Sequence, residues 1–198
     1  MPGGTKLLVS DSNANCVHIL DTLTFRRPAD LASANESRIG PELAGPHGAT
    51  LSHNGPHGLA VSPHDAKAHV YICDRYNHRV LVTTGSGECV RVLGGPLSAD
   101  ASKAERGRRV PGRFSEPVDV AVGRARLYVA EYGNRRVQVL ALEGDPLQLL
   151  SLPGNKAPRG LALSREAAFG AVAQRLWVSA DQSGIHVVAV GAAALSPP

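Results

Sequence analysis

Residues 70–82, VYICDRYNHRVLV, return in altered form at residues 127–139 as LYVAEYGNRRVQV. Both stretches give an aliphatic residue, Tyr, another aliphatic, a small residue and an acid. Two variable places follow, then Asn, a basic residue, Arg and alternating apolar positions. Repetition at this scale constrains the fold more than any composition can, because repeated supersecondary units bury their apolar faces against one another. A weaker copy, LLVSDSNANCVHI at 7–19, keeps Asp11 at the acidic place but has Ala14 and Cys16 where Asn and Arg stand elsewhere. Another, LWVSADQSGIHVV at 176–188, lacks both.

The repetition continues on either side. PHGLAVS (56–62), PVDVAVG (117–123) and PRGLALS (158–164) each precede a copy and read as a Pro-led turn running into a short apolar strand. Downstream, RVLVTTGSGECVRVLGG and RVQVLALEGDPLQLLSLPG read as strand, turn, strand, with Gly, Asp and Pro in the turns. Each full unit therefore holds four short antiparallel strands, and tandem units of this kind predict an all-β fold, a β-propeller. Units fall at about 6–25, 55–94, 112–153 and 157–190, with long loops at 26–54 and 95–111 and no second domain. Blades of comparable repeats take about 40–45 residues, so the chain accommodates about four. The first unit begins at what reads as a second strand and the last lacks a closing strand. The expected propeller is thus incomplete or open, either a fragment of a larger one or a partner for another chain through unpaired blade edges. Residues 165–175, REAAFGAVAQR, carry the best helical pattern, but Gly170 weakens it and the segment reads as a loop.

Composition agrees with a globular chain: 43% of residues are hydrophobic and 19% charged. Apolar runs break well short of the roughly 18 residues of a membrane helix, and MPGGTKLLVSDS lacks the apolar stretch of a secretory signal. The expected location is therefore soluble and cytoplasmic, without a membrane partner. Cys16, Cys73 and Cys89 are odd in number and lack CxxC spacing, so buried reduced thiols are expected.

The stretch at 112–150, GRFSEPVDVAVGRARLYVAEYGNRRVQVLALEGDPLQLL, resembles an NHL repeat almost end to end, and 55–94 resembles a second. No Trp-Asp pair closes a third strand, which separates the pattern from WD40 repeats. The resemblance implies that Asp74, Asn77 and Arg79, with Glu131, Asn134 and Arg136, hold the turn between second and third strands. Short polar side chains bond local backbone in such turns, and a guanidinium can clamp a carboxylate. Arg75, His78 and Arg135 lie where the copies vary and are the candidates for binding. Because the strands alternate in direction, the loop between strands two and three shares one end of the blade with the link to the next blade. That face would gather Arg75, His78 and Arg135 with Arg106, Arg108 and Arg109 of the segment KAERGRRVPGR, while Glu88, Glu143 and Asp145 turn to the reverse.

A basic face on such a fold suggests a noncatalytic scaffold that binds protein partners. Single-stranded RNA is the alternative, which the resemblance permits. Against it, aromatics are only 4% of the chain, and sequence-tolerant strand binders stack bases on rings. Tyr71, Tyr128 and Trp177 hold equivalent strand places and are expected in the core, leaving Tyr76 and Tyr132 on loops. A second alternative is a metal-dependent propeller lyase or hydrolase. Five of eight histidines, His47, His53, His57, His64 and His69, crowd one segment, and imidazole is the commonest metal ligand. Yet Asn54-Gly55-Pro56 prevents a helix from aligning His53 with His57, HExxH is absent, and Asp119 is the only counterpart on the matching strands. No metal or other cofactor is expected.

Overall fold

The computed structural model describes residues 6–22, 38–40, 42–44, 50–62, 67–95, 110–164, 174–182 and 184–190. A first sheet holds β1 (Lys6–Asp11), β2 (Cys16–Asp21) and β3 (Arg38–Ile39), and β4 (Glu42–Ala44) pairs with β5 (Thr50–Ser52) as a separate ribbon. The second sheet runs β6 (Pro56–Val61), β7 (Val70–Asp74), β8 (Arg79–Thr83), β9 (Cys89–Gly94). The third runs β10 (Pro117–Val122), β11 (Arg126–Glu131), β12 (Arg136–Ala141), β13 (Pro146–Ser151), and the fourth β14 (Pro158–Leu163), β15 (Gln174–Ala180), β16 (Gly184–Val190). Every pairing is antiparallel between chain neighbours. The stretch 26–54, read from sequence as a long loop, thus supplies β3 to the first sheet and the ribbon β4–β5. The segment with the helical pattern lies outside the described residues apart from its last two, Gln174 and Arg175, which begin β15.

Repeated sequence becomes repeated register. Tyr71 faces Ala60 and Val82 across its two neighbours, and Tyr128 faces Ala121 and Val139 in the same way. In all three Pro-led strands the ladder slips directly after the proline, between Pro56 and Leu59, Pro117 and Asp119, and Pro158 and Gly160. Proline lacks the N–H that a regular ladder needs, so a bulge follows it and re-aims the next side chain. β1 ends at Asp11 as β7 ends at Asp74 and β11 at Glu131. It therefore holds the second-strand place, and the first sheet has no described strand in the opening place.

Neighbouring sheets pack face to face, and the core lies between them. Val17, Ile19 and Ile39 of the first meet Val70, Ile72 and Leu81 of the second. Tyr71, Val80 and Leu93 of the second meet Val120, Val129 and Leu140 of the third, with Phe114. Tyr128, Val137 and Val139 of the third meet Leu176, Val178 and Val190 of the fourth. Each such side chain, fully buried, contributes about 1.5–3 kcal/mol, so contact between sheets, more than any single sheet, sustains the fold. One expectation fails here. Trp177 sits at the place of Tyr71 and Tyr128 but is 40% exposed. The face it occupies on the last sheet meets no further described sheet, and Ile185 and Val187 beside it are exposed as well.

β6, β10 and β14 lie side by side along the inner edge of the array. Approach is closest at Gly58, where an added Cβ would stand 2.6 Å from the Asp119 Cα and 2.7 Å from the Val118 carbonyl oxygen. Glycine is needed there for space. No described strand of the fourth sheet pairs with the first, so the array is open. Among the described residues no helix is long and apolar enough to cross a membrane.

Candidate interaction surface

The corners between second and third strands all lie at one end, together with the starts of β6, β10 and β14. In the third sheet Glu131 and Arg136 are 0% and 2% exposed and joined by a short hydrogen bond from Arg136 Nε to Glu131 Oε2. Glu131 Oε1 also accepts from Asn134 Nδ2 at 2.6 Å and from the Ser115 N–H at 2.9 Å. Arg136 Nη2 donates to the carbonyls of Val110 and Arg113, each at 3.1 Å. The second sheet repeats the design. Asp74 accepts from Arg79 Nε at 2.6 Å, Asn77 Nδ2 at 3.0 Å and the Asn54 N–H at 2.6 Å, while Arg79 and Asn77 both reach the Ser52 carbonyl. Acid, Asn and Arg thus satisfy one another and tie down the segment leading into the sheet, which ionised groups this buried require. His78 and Arg135, at φ 56° and 53°, turn the corner in the left-handed region.

In the first sheet the missing Asn and Arg are replaced by His18, whose Nε2 lies 3.3 Å from Asp11 Oδ2 and 3.7 Å from Cys16 Sγ. The Ala14 N–H is the main cause holding the Asp11 carboxyl below its ordinary value, with His18 adding to it. Two side chains then reach the second sheet: Asn15 Oδ1 accepts the Gly55 N–H and Ser12 Oγ donates to the Pro56 carbonyl.

On this floor lies a row of rings and guanidinium groups that crosses three sheets. Arg75 Cζ stands 5.0 Å from the centre of the Tyr76 ring and 5.5 Å from that of Tyr132, and Arg159 Cζ stands 4.2 Å from Tyr132. Such contacts contribute about 0.5–1 kcal/mol each at exposed sites. Glu116 anchors Arg75 at 2.8 Å, and Asp181 anchors Arg159 at 2.7 and 3.2 Å. The Arg159 hydrogen bonds hold the Asp181 carboxyl below its ordinary value. Arg159 reaches Tyr132 from the bulge after Pro158. Tyr76 is 53% exposed, its ring lying over Gly55.

The inner strands carry a second set of links. His57 Nδ1 donates to the Val118 carbonyl at 2.7 Å, joining β6 to β10. Asp119 accepts the Val120 N–H at 2.9 Å and the Leu161 N–H at 2.6 Å, joining β10 to β14. Burial raises the Asp119 pKa, opposed by these two N–H groups and His57.

Arg75, His78 and Arg135 do gather at this end, and the turns bearing Glu88, Glu143 and Asp145 lie at the other. Two of the three are engaged in holding sheets together: Arg75 through Glu116, and His78 through Nδ1, which accepts the Glu116 N–H at 3.1 Å. Arg135 is exposed, with no ion pair among the described residues. Arg106, Arg108 and Arg109 lie outside the described residues. Much of the charge is matched on the spot by Asp74, Glu116, Glu131 and Asp181, and the opposite end also carries Lys67, Arg124 and Arg126. Asp74, Asn77, Arg79, Glu131, Asn134 and Arg136 all stand in the corners described above. Sequence reasoning missed Glu116, Asp181 and Arg159. For Arg159 a signal existed, the place one residue after a strand-leading proline, which His57 and Val118 also fill.

The histidine segment does not converge. His53 and His57 stand at the corner end and His69 at the other, where its carbonyl accepts the Ser62 N–H, while His47 and His64 lie outside the described residues. Among the described residues no three His, Cys, Asp or Glu side chains gather in a group that could hold a metal ion.

No known family description and no curated protein matches the sequence. Solved structures do. Hydrazine synthase of Kuenenia stuttgartiensis is similar at a TM-score of 0.53 and 13% identity over 95% of this chain, which spans 47% of that one. A structure of streptogramin B lyase is similar at a TM-score of 0.45 and 14% identity, over 96% of this chain and 66% of its own. The first likeness, with the sheet order, establishes a β-propeller architecture, and this chain extends over less than half the length of that relative.

Proposed function

We propose that this chain is a noncatalytic interaction module that binds a protein partner through the end bearing Arg75, Tyr76, Tyr132 and Arg159. The observation that carries the reading is the continuity of that row across three sheets, each guanidinium fixed by both a ring and a carboxylate. Tyr and Arg dominate binding energy at protein interfaces, and side chains ordered beforehand lose little entropy on association. Arg135 stands nearby as an exposed charge for the rim of such a contact.

Alternating guanidinium and ring surfaces also favour single-stranded RNA, since bases stack on tyrosine and arginine planes alike. Both readings are separated by affinity capture from lysate with and without nuclease, comparing the intact protein with Tyr76→Ala and with Leu147→Ala, a control on the outer strand β13. A protein partner survives nuclease and is lost with Tyr76→Ala alone. Capture that vanishes on nuclease treatment favours RNA, and then retention in a filter assay falls as salt rises. Capture that survives unchanged in Tyr76→Ala removes this end of the molecule from either role.

A further inference from the structure

The lead-in to the second sheet contains one imidazole that the corner does not use. His53 is 4% exposed, and neither ring nitrogen has a hydrogen-bond partner among the described residues. Its place is that of Phe114 in the third sheet, since each precedes by one residue the N–H that caps the corner acid, Asn54 in one sheet and Ser115 in the other. A buried group with two unused polar atoms, at a place elsewhere filled by a hydrocarbon ring, costs stability without contributing a bond.

We propose that His53 is an acid-sensitive latch beneath the interaction surface: taking up a proton below neutral pH opens the corner of the second sheet and leaves that of the third closed. The charges that reach it are Asp74 at the end of β7 and Arg79 at the start of β8. From the first sheet, two neutral groups reach this segment among the described residues: the Asn15 amide accepts the Gly55 N–H and the Ser12 hydroxyl donates to the Pro56 carbonyl. Asp74 cannot neutralise an imidazolium freely, because its oxygens already hold Arg79, Asn77 and the Asn54 N–H. A charged His53 would either lie unpaired beside Arg79 or draw Asp74 away from Asn54. Three bonds support Arg75 and Tyr76 from this segment: Asn54 N–H to Asp74, the Arg75 N–H to the Gly55 carbonyl, and the Tyr76 N–H to the Asn54 carbonyl. The third sheet repeats all three, at Ser115, Tyr132 and Gly133, over Phe114.

Burial holds the imidazole below its ordinary pKa, with Arg79 acting in the same direction and Asp74 against it. The open form therefore binds the proton more readily. Closure is complete above the unperturbed histidine value near 6.5 and weakens as pH falls below it, by about tenfold in the opening equilibrium per pH unit until the folded value is reached.

Amide hydrogen exchange on the whole chain, corrected for the intrinsic pH dependence of exchange, tests this between pH 7.5 and 5. The expected result is faster opening at Asn54, Arg75 and Tyr76 with no change at Ser115, Tyr132 and Gly133, and loss of the difference in His53→Phe. Parallel behaviour of the two corners, or an acid response that persists in His53→Phe, overturns the proposal. Should that variant not fold, the ring of His53 in the unaltered protein is titrated by NMR, where a midpoint at or above the ordinary histidine value overturns it equally. Because no partner is needed, the outcome is independent of the binding role proposed above.

Discussion

Replacing Glu131 with alanine removes the acid on which the third sheet's corner converges. Arg136, 2% exposed, would lose the carboxylate it pairs with while still donating to the carbonyls of Val110 and Arg113. The Ser115 N–H would lose its acceptor as well. Removing one partner of a buried ion pair costs about 3–5 kcal/mol, and the orphaned N–H is part of that figure because the groups share one network. Against the roughly 5–15 kcal/mol that separates folded from unfolded domains, the loss takes about a fifth of the total or more. For a chain of this size it lowers Tm by about 6–20 °C. Urea unfolding of Glu131→Ala, Arg136→Met and the double variant measures it. The double variant should be less destabilised than the sum of the singles, because no bare charge remains once both partners are gone. A cost below about 1 kcal/mol for Glu131→Ala, or strict additivity in the cycle, would refute the account of the corner as a mutually neutralised buried network.

Gly58→Ala should shift the urea midpoint downward by an overpacking cost of about 1–3 kcal/mol, since the new methyl meets the backbone of β10. Gly85→Ala, in the open turn between β8 and β9 where nothing lies within 4 Å, should leave it unchanged or raise it slightly. Cys16, Cys73 and Cys89 are buried thiols outside any disulfide, and burial pushes the thiols of Cys73 and Cys89 upward. All three should resist a thiol-reactive dye in native buffer and react together once denatured. Rapid labelling of Cys73 in the native protein would contradict the packing between second and third sheets.

The acid–Asn–Arg corner was legible without coordinates because its parts recur five residues apart in two copies, and short-range geometry alone brings Asp74 to Arg79 and Glu131 to Arg136. The Pro-led strands were legible for a similar reason, although not the bulge that follows each proline. Trp177 shows where this logic fails. Its register matches Tyr71 and Tyr128, but burial depends on whether another sheet lies across the face, and register does not record that. His53 shows the reverse, a polar residue in a Gly/Pro-rich stretch that reads as surface yet fills the place of Phe114. Among the candidate binding residues, Arg75 and His78 looked free because the acid and N–H of Glu116 that engage them lie 41 and 38 residues away.

Sequence by itself determined the unit: four short strands, a Pro-led start, a polar corner, and the number of times these recur. Those properties rest on alternation, turn chemistry and contacts between residues a few places apart, all of which survive in a one-dimensional pattern. Only the tertiary structure decided which units have neighbours, and therefore which faces are buried. It also decided that Arg75, Tyr132 and Arg159, each from a different sheet, form one continuous row. Packing between sheets brings together residues such as Asp119 and Leu161, 42 positions apart, and nothing in the local pattern of either residue encodes that distance.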